Sequence, residues 1–168
     1  PMQYISFYSS PLGRILLAAD EIGLAGLWFE GQKYYALGLE KNPREQELPI
    51  FDRAKRWLNI YFSGKEPDFS IPLHPSGTSF QMEVWNILCS IPYGQTRTYG
   101  EIAKQLAAEK KISHMSAQAV GGAVGHNKIS ILIPCHRVVG TNGSLTGYAG
   151  GIDKKMRLLT LEKKGTWK

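Results

Sequence analysis

Three prolines within nine residues, in the stretch Pro67-Asp68-Phe69-Ser70-Ile71-Pro72-Leu73-His74-Pro75, exclude a helix or a central strand at that point of the chain. A proline has no backbone N–H to give to either ladder. The stretch reads as a linker and divides the 168 residues into an expected supporting domain over 1–75 and a second domain over 76–168. Charge divides at the same place. Up to Pro75 there are eight Lys and Arg against nine Asp and Glu, a net −1, whereas the remainder carries twelve against five, a net +7, which together make the overall +6. A basic half beside a neutral one favours contact with a polyanion, most simply nucleic acid. A solvated basic face without a partner accounts for the same numbers.

The first half opens with apolar or alternating runs over 3–8, 14–19 and 24–29, separated by Ser10-Pro11-Leu12-Gly13 and Asp20-Glu21-Ile22-Gly23. These predict three strands joined by tight turns. Over 51–62, Ala54, Trp57, Leu58 and Tyr61 recur at helical spacing before Gly64, predicting a helix with one face on that sheet. Nothing before Pro75 suggests catalysis. The start of the chain lacks a basic segment followed by a long apolar one, and no later segment approaches membrane-spanning length, so an intracellular protein without membrane contact is expected. The two cysteines, Cys89 and Cys135, stand far apart and outside any Cys-x-x-Cys pair. Neither a disulfide framework nor a structural metal is expected.

In the second half, Thr78-Ser79-Phe80-Gln81 and Thr98-Tyr99-Gly100-Glu101 both match a capping box. The first leads into a core helix with Phe80, Val84, Ile87, Leu88 and Ile91 on one face, ending at Pro92; the second leads into Ile102, Ala103 and Leu106. A further short helix is expected over 116–126, so that two short helices follow one another as in a helix-turn-helix. That last helix is chemically bare. Between Ala117 and Gly125, Gln118 is the single long polar side chain, and Gly121 and Gly122 each cost about 1 kcal/mol relative to alanine. Smallness of this kind fits either close approach to a nucleic-acid groove or tight packing against a neighbouring helix.

The chemically informative stretch is Ile131-Leu132-Ile133-Pro134-Cys135-His136-Arg137-Val138-Val139, where a cysteine, a histidine and an arginine interrupt an apolar strand. Adjacent cations favour the nucleophilic thiolate, and His136 and Arg137 are both expected to help. The bland alternative is a small buried cysteine at a strand end. Downstream, Gly147-Tyr148-Ala149-Gly150-Gly151 is a glycine-dense loop suited to walling a pocket. A final helix is expected to turn Ile152, Met156 and Leu159 to one face. Glu162, in its last turn, opposes the helix dipole without a local ion pair, which suggests a distant partner; His136 is nominated.

Pro134-Cys135-His136-Arg137-Val138-Val139 with Gly147-Tyr148-Ala149-Gly150-Gly151 resembles the O6-alkylguanine-DNA alkyltransferase family. The resemblance extends upstream through Ala119-Val120-Gly121-Gly122-Ala123, Asn127, Tyr99 and Phe80-Gln81 to the Ser10-Pro11-Leu12-Gly13 turn. It implies an α+β chain in which a small antiparallel, ribonuclease H-like sheet with helices precedes a mainly helical, winged-helix-like domain. It also implies a methylated-DNA-[protein]-cysteine S-methyltransferase that repairs DNA by direct reversal. Cys135 would irreversibly accept the alkyl group from guanine O6 in a single turnover, with no cofactor. His136, oriented by Glu162, would remove the thiol proton through a water.

By the same resemblance, the backbone N–H near Ala149 would stabilise the leaving oxygen, Tyr99 would meet the N3 side of the base and help rotate the target phosphate, and Asn127 would brace the turn before the active segment. Val124 would pack on the base, and Cys135 and Val138 would offer carbonyls to its exocyclic amine. Ala119, Gly121, Gly122, Arg137, Tyr148 and Gly150 complete the implied DNA and substrate contacts. The implied partner is double-stranded DNA carrying O6-alkylguanine, entered from the minor groove with the nucleotide flipped out, and bound by a monomer. The setting is cytoplasmic in a prokaryote and nuclear in a eukaryote. Gln118 departs from the family, which usually has an arginine there. The alternatives are a helix-turn-helix regulator with an inert cysteine and a module that binds alkylated DNA without transfer; Cys135 speaks against the second, and the bare helix against the first.

Overall fold

The computed structural model describes residues 2–166; Pro1, Trp167 and Lys168, at the outer ends of the two expected domains, lie outside the described residues. Three strands, β1 (Tyr4–Ser10), β2 (Gly13–Ala19) and β3 (Leu24–Phe29), form an antiparallel meander. The short β4 (Arg44–Glu45) adds to β1 in parallel, so the whole sheet is mixed, in the order β3-β2-β1-β4. Helix α1 (Pro49–Phe62) begins with proline in its first turn, where the missing N–H costs nothing, and buries Phe51, Ala54, Leu58, Tyr61 and Phe62.

The proline-bearing stretch is docked rather than free. Leu24 donates its N–H to Pro72 O at 2.8 Å, and His74 donates to Leu24 O at 2.7 Å. The linker therefore runs along the open edge of β3.

Helix α2 (Ser79–Cys89) carries the full capping box, with Thr78 and Gln81 satisfying one another's backbone, and buries Val84, Trp85, Ile87 and Leu88. After β5 (Arg97–Thr98), helix α3 (Tyr99–Lys110) carries the second box through Thr98 and Glu101. Helix α4 (Ala117–Gly125) is capped by Ser116, whose Oγ accepts from the backbone of Gln118 and Ala119. Trp85 fixes α4 on α2 by donating its indole N–H to Ala123 O at 2.9 Å.

The chain then passes through β6 (Val138–Val139), parallel to β5, and ends in α5 (Ile152–Lys164). The expected face of α5 is corrected. Ile152 and Met156 are exposed, while Lys155, Leu158, Leu161 and Glu162 point inward. Hydrophobic spacing failed here because two of the four inward residues are charged and are held by polar partners.

Candidate active site

Cys135 sits at the end of a folded turn, not a strand, which corrects the sequence expectation. The segment leaves the edge of β3, where Leu27 donates to Lys128 O and Ser130 donates to Leu27 O. Ile131 takes a left-handed φ of 71°, and Leu132 closes back on Ser130 O at 2.8 Å. Asn127 grips both sides of this turn, donating to Ile133 O at 2.8 Å and accepting from Ile129 N–H at 3.0 Å. Pro134 then supplies no N–H, and Cys135–Arg137 form one turn of 3-10 helix before β6. The turn buries the apolar residues between the bridge of Ile129 to β3 and the pairing of Val138–Val139 with β5.

The thiol is nearly sealed, with 4% of Cys135 exposed. Burial pushes its pKa up; the Asn127 side chain, the Lys155 charge and the His136 backbone N–H work against that rise. The expected contribution of His136 and Arg137 as neighbouring cations is thus overturned. The cation that faces the sulfur is Lys155, which the sequence reading did not single out. It is fully buried, and its ammonium donates to Thr146 O at 3.0 Å and Gly147 O at 3.1 Å, tying the glycine loop to α5. Burial brings its pKa down to about 8, against an opposing pull from Cys135.

Behind the thiol lies a buried polar cluster centred on Glu162. His136 Nε2 is 2.5 Å from Glu162 Oε2. Arg137 donates from Nε to Oε1 at 2.8 Å and from Nη2 to Oε2 at 3.1 Å, and its Nη1 donates to Ile91 O. Tyr61 donates its hydroxyl to Oε2 at 2.6 Å, and Gly94 gives its N–H to Oε1 at 3.0 Å. Burial alone would raise the Glu162 pKa; the hydrogen bonds from His136 and Arg137 and the arginine charge hold it well below the usual carboxylate range. His136 is fully buried, and burial lowers its pKa in spite of Glu162, leaving a neutral ring. That ring donates through Nε2, and its Nδ1 is buried with no hydrogen-bond partner among the described residues. Arg137, which the resemblance places among the DNA contacts, is turned inward to Glu162, with 10% of its side chain exposed.

In front of the thiol opens a cavity of about 330 Å³ lined by Tyr99, Gly121, Gly122, Val124, Gly125, His126, Cys135, Gly147, Tyr148 and Ala149, together with Lys33 and Tyr34. Its volume is in the range of small-ligand sites. The fold thus brings seven expected residues to one cavity, with Asn127, His136 and Glu162 behind it. Gln118 is exposed in an adjoining groove with Tyr99, Gly140 and Thr146, and Ala119 is exposed on the same helix. Val138 is fully buried in β6, and its N–H donates to Cys135 O. Tyr99 donates its hydroxyl to Thr146 O at 3.2 Å. Gly150 lets Tyr148 come close: a Cβ there would stand 2.9 Å from the Tyr148 ring.

Lys33 and Tyr34 come from the half expected only to support. Lys33 N–H bonds to Ala149 O at 3.0 Å, and Tyr34 stacks on His126 with centroids 4.4 Å apart. Their sequence context is a loop, and no short-range pattern announces such a contact.

Helix α4 does not owe its glycines to a packed neighbour. A Cβ on Gly122 or Gly125 would meet nothing within 4 Å, and one on Gly121 would touch the Tyr99 ring at an ordinary 3.8 Å. Of the two sequence explanations, tight packing against another helix is excluded. Among the described residues, no group of three or more histidine, cysteine or acidic side chains is placed to hold a metal ion.

Comparison with known proteins matches residues 3–75 to the 6-O-methylguanine DNA methyltransferase ribonuclease-like domain, and residues 79–164 to the 6-O-methylguanine DNA methyltransferase DNA binding domain. The methylated-DNA–protein-cysteine methyltransferase of Methanosarcina acetivorans is 46% identical over 167 residues, covering 95% of this chain and 97% of that protein. The protein of the same name from Haemophilus influenzae is 42% identical over 164 residues, covering 95% and 86%. The crystal structure of Mycobacterium tuberculosis OGT in complex with DNA superposes with a TM-score of 0.84 at 41% identity, covering 97% of this chain and 94% of that one.

Proposed function

This chain belongs to the 6-O-methylguanine DNA methyltransferase family, whose members repair DNA by direct reversal, and from that premise we propose that Cys135 is the atom-accepting nucleophile. The observation that carries this reading is the state of His136, the residue after the cysteine: Nε2 is committed to Glu162 while Nδ1, buried without a hydrogen-bond partner among the described residues, keeps a free lone pair. A water between Sγ and Nδ1 passes the thiol proton to the imidazole, and Glu162 balances the imidazolium that results. The thiolate attacks the alkyl carbon, an S–C bond forms as the C–O6 bond breaks, and the electron pair stays on guanine, which recovers a proton. A thioether has no good leaving group, so each molecule acts once.

The rest of the cavity serves that step. Lys155 favours the thiolate and anchors the loop of Thr146 and Gly147. Tyr99 meets the base, Val124 packs on it, and backbone groups of Cys135, Val138 and Ala149 address its polar edge. A guanine O6 in a duplex cannot reach a sealed sulfur, so the nucleotide is flipped out. The open glycine face of α4 suits close approach to the minor groove, with Gln118 entering the base stack and the positive half of the chain meeting phosphate. The halves divide near Pro75, and the protein acts as a monomer wherever chromosomal DNA resides. No helix among the described residues is long and apolar enough to cross a membrane.

The test is intact-mass measurement after incubation with a duplex carrying one O6-methylguanine. One methyl group mapped to Cys135, absent in Cys135→Ala, is expected. An unchanged mass, repeated turnover, or an adduct on Cys89 overturns the reading.

A further inference from the structure

We infer that Tyr61, from the half of the chain whose sequence suggests no chemistry, is a positioning residue for alkyl transfer: its hydroxyl fixes Glu162 so that His136 donates from Nε2 and keeps Nδ1 available for the thiol proton. The inference rests on the proposed role of Cys135.

Glu162 is saturated. Oε2 accepts from Tyr61, His136 and Arg137, and Oε1 accepts from Arg137 and Gly94. Five donors are more than the roughly four lone-pair sites of a carboxylate, so they share its oxygens and none is spare. Tyr61 cannot swing away. It is fully buried, stacked on Trp57 at 5.3 Å, and met edge-on by Phe62 at 5.4 Å and Tyr93 at 6.1 Å. Its oxygen also lies 3.4 Å from His136 Nε2. With its hydrogen committed to Glu162 Oε2, the Tyr61 oxygen turns lone pairs rather than a hydrogen toward His136 Nε2, and so favours the tautomer that keeps the proton on Nε2.

The hydroxyl also shares the carboxylate's charge. Without it, Oε2 concentrates more negative charge on the imidazole N–H and stabilises the imidazolium. The other charged and titratable groups facing this pair are Arg137 and Cys135 from the active turn, Lys155 from α5, Tyr93 after α2, and Tyr148 from the loop. Arg137 and Lys155 oppose an imidazolium and are untouched by a change at Tyr61. The neutral base required for transfer then forms only at higher pH.

The experiment measures single-turnover methyl transfer from a duplex with one O6-methylguanine across pH, in the full chain, Tyr61→Phe and Trp57→Phe. Phenylalanine keeps the Tyr61 ring packing and removes only the hydroxyl. Tyr61→Phe should displace the acid limb upward by about one pH unit, slowing transfer roughly tenfold on the limb and little above it, as expected for loss of one hydrogen bond to a charged group. Trp57→Phe, which disturbs packing alone, should leave the limb in place. Nitrogen NMR of the His136 ring gives a second readout, with a higher titration midpoint in Tyr61→Phe. A wild-type limb and midpoint in Tyr61→Phe, or a rate lowered evenly at every pH, overturns this inference alone. No methyl uptake by the unaltered chain overturns the role of Cys135 and this inference with it.

Discussion

Arg137 and Glu162 form a two-pronged ion pair behind the sulfur, with the carboxylate fully buried and the guanidinium side chain 10% exposed. Breaking such a pair from one side leaves a buried charge without its counter-charge, at a cost of about 3–5 kcal/mol. Glu162→Gln is expected to lower the denaturation midpoint accordingly. In either orientation its amide N–H₂ meets donors that the carboxylate accepted, and it carries no charge to balance the imidazolium, so transfer should fall by about 10²–10⁴-fold. A single-turnover rate within tenfold of wild type at equal folding refutes this account.

The same carboxylate predicts acid sensitivity. Its folded pKa lies below the unfolded value of about 4.3, so its stabilisation is complete above that pH and is lost as pH falls toward the folded value. Denaturant midpoints below about pH 5 should decline more steeply in wild type than in Glu162→Gln. Parallel curves would show that the pair does not drive the decline.

Lys155 predicts a link between loop order and thiol acidity. Lys155→Met keeps the apolar stem and removes the ammonium from Cys135, Thr146 and Gly147. Ultraviolet titration of the thiolate should move to higher pH, and methyl transfer at neutral pH should fall about tenfold for a shift of one unit. An unmoved titration curve would remove Lys155 from thiolate stabilisation.

Gly122 predicts opposite effects on stability and function. Alanine there meets open space, so the free protein should gain roughly 0.5–1 kcal/mol from helix propensity. If the open face receives DNA, the added methyl group should weaken duplex affinity in the same variant. Unchanged affinity measured by anisotropy would place DNA elsewhere.

Gln118 predicts a gain. Its side chain is exposed at the first turn of α4, where an arginine adds charge and a stacking plane for the space left by a flipped base. Gln118→Arg should speed transfer from duplex DNA and leave transfer from the free methylated nucleoside unchanged. An equal or lower duplex rate contradicts this role.

The helices were legible because their signals are local. Thr78 with Gln81 and Thr98 with Glu101 close caps three residues apart, and Ala54, Leu58 and Tyr61 repeat on one face. The β1–β2–β3 meander follows from alternation and two turns. The segment around Cys135 was misread as a strand, because an apolar run looks alike whether a strand or a braced turn buries it. The brace is the side chain of Asn127, which periodicity does not register.

The order of elements, the charge asymmetry and the motif around Cys135 belonged to the sequence, since each depends on residues a few positions apart. What surrounds the sulfur belonged to the fold. Tyr61 stands 101 positions from Glu162, and His136 stands 26 from it; they meet only because α1 and α5 bury their polar residues against the same turn. A buried carboxylate must collect its donors wherever the chain supplies them, and that choice is made in space, not along the sequence.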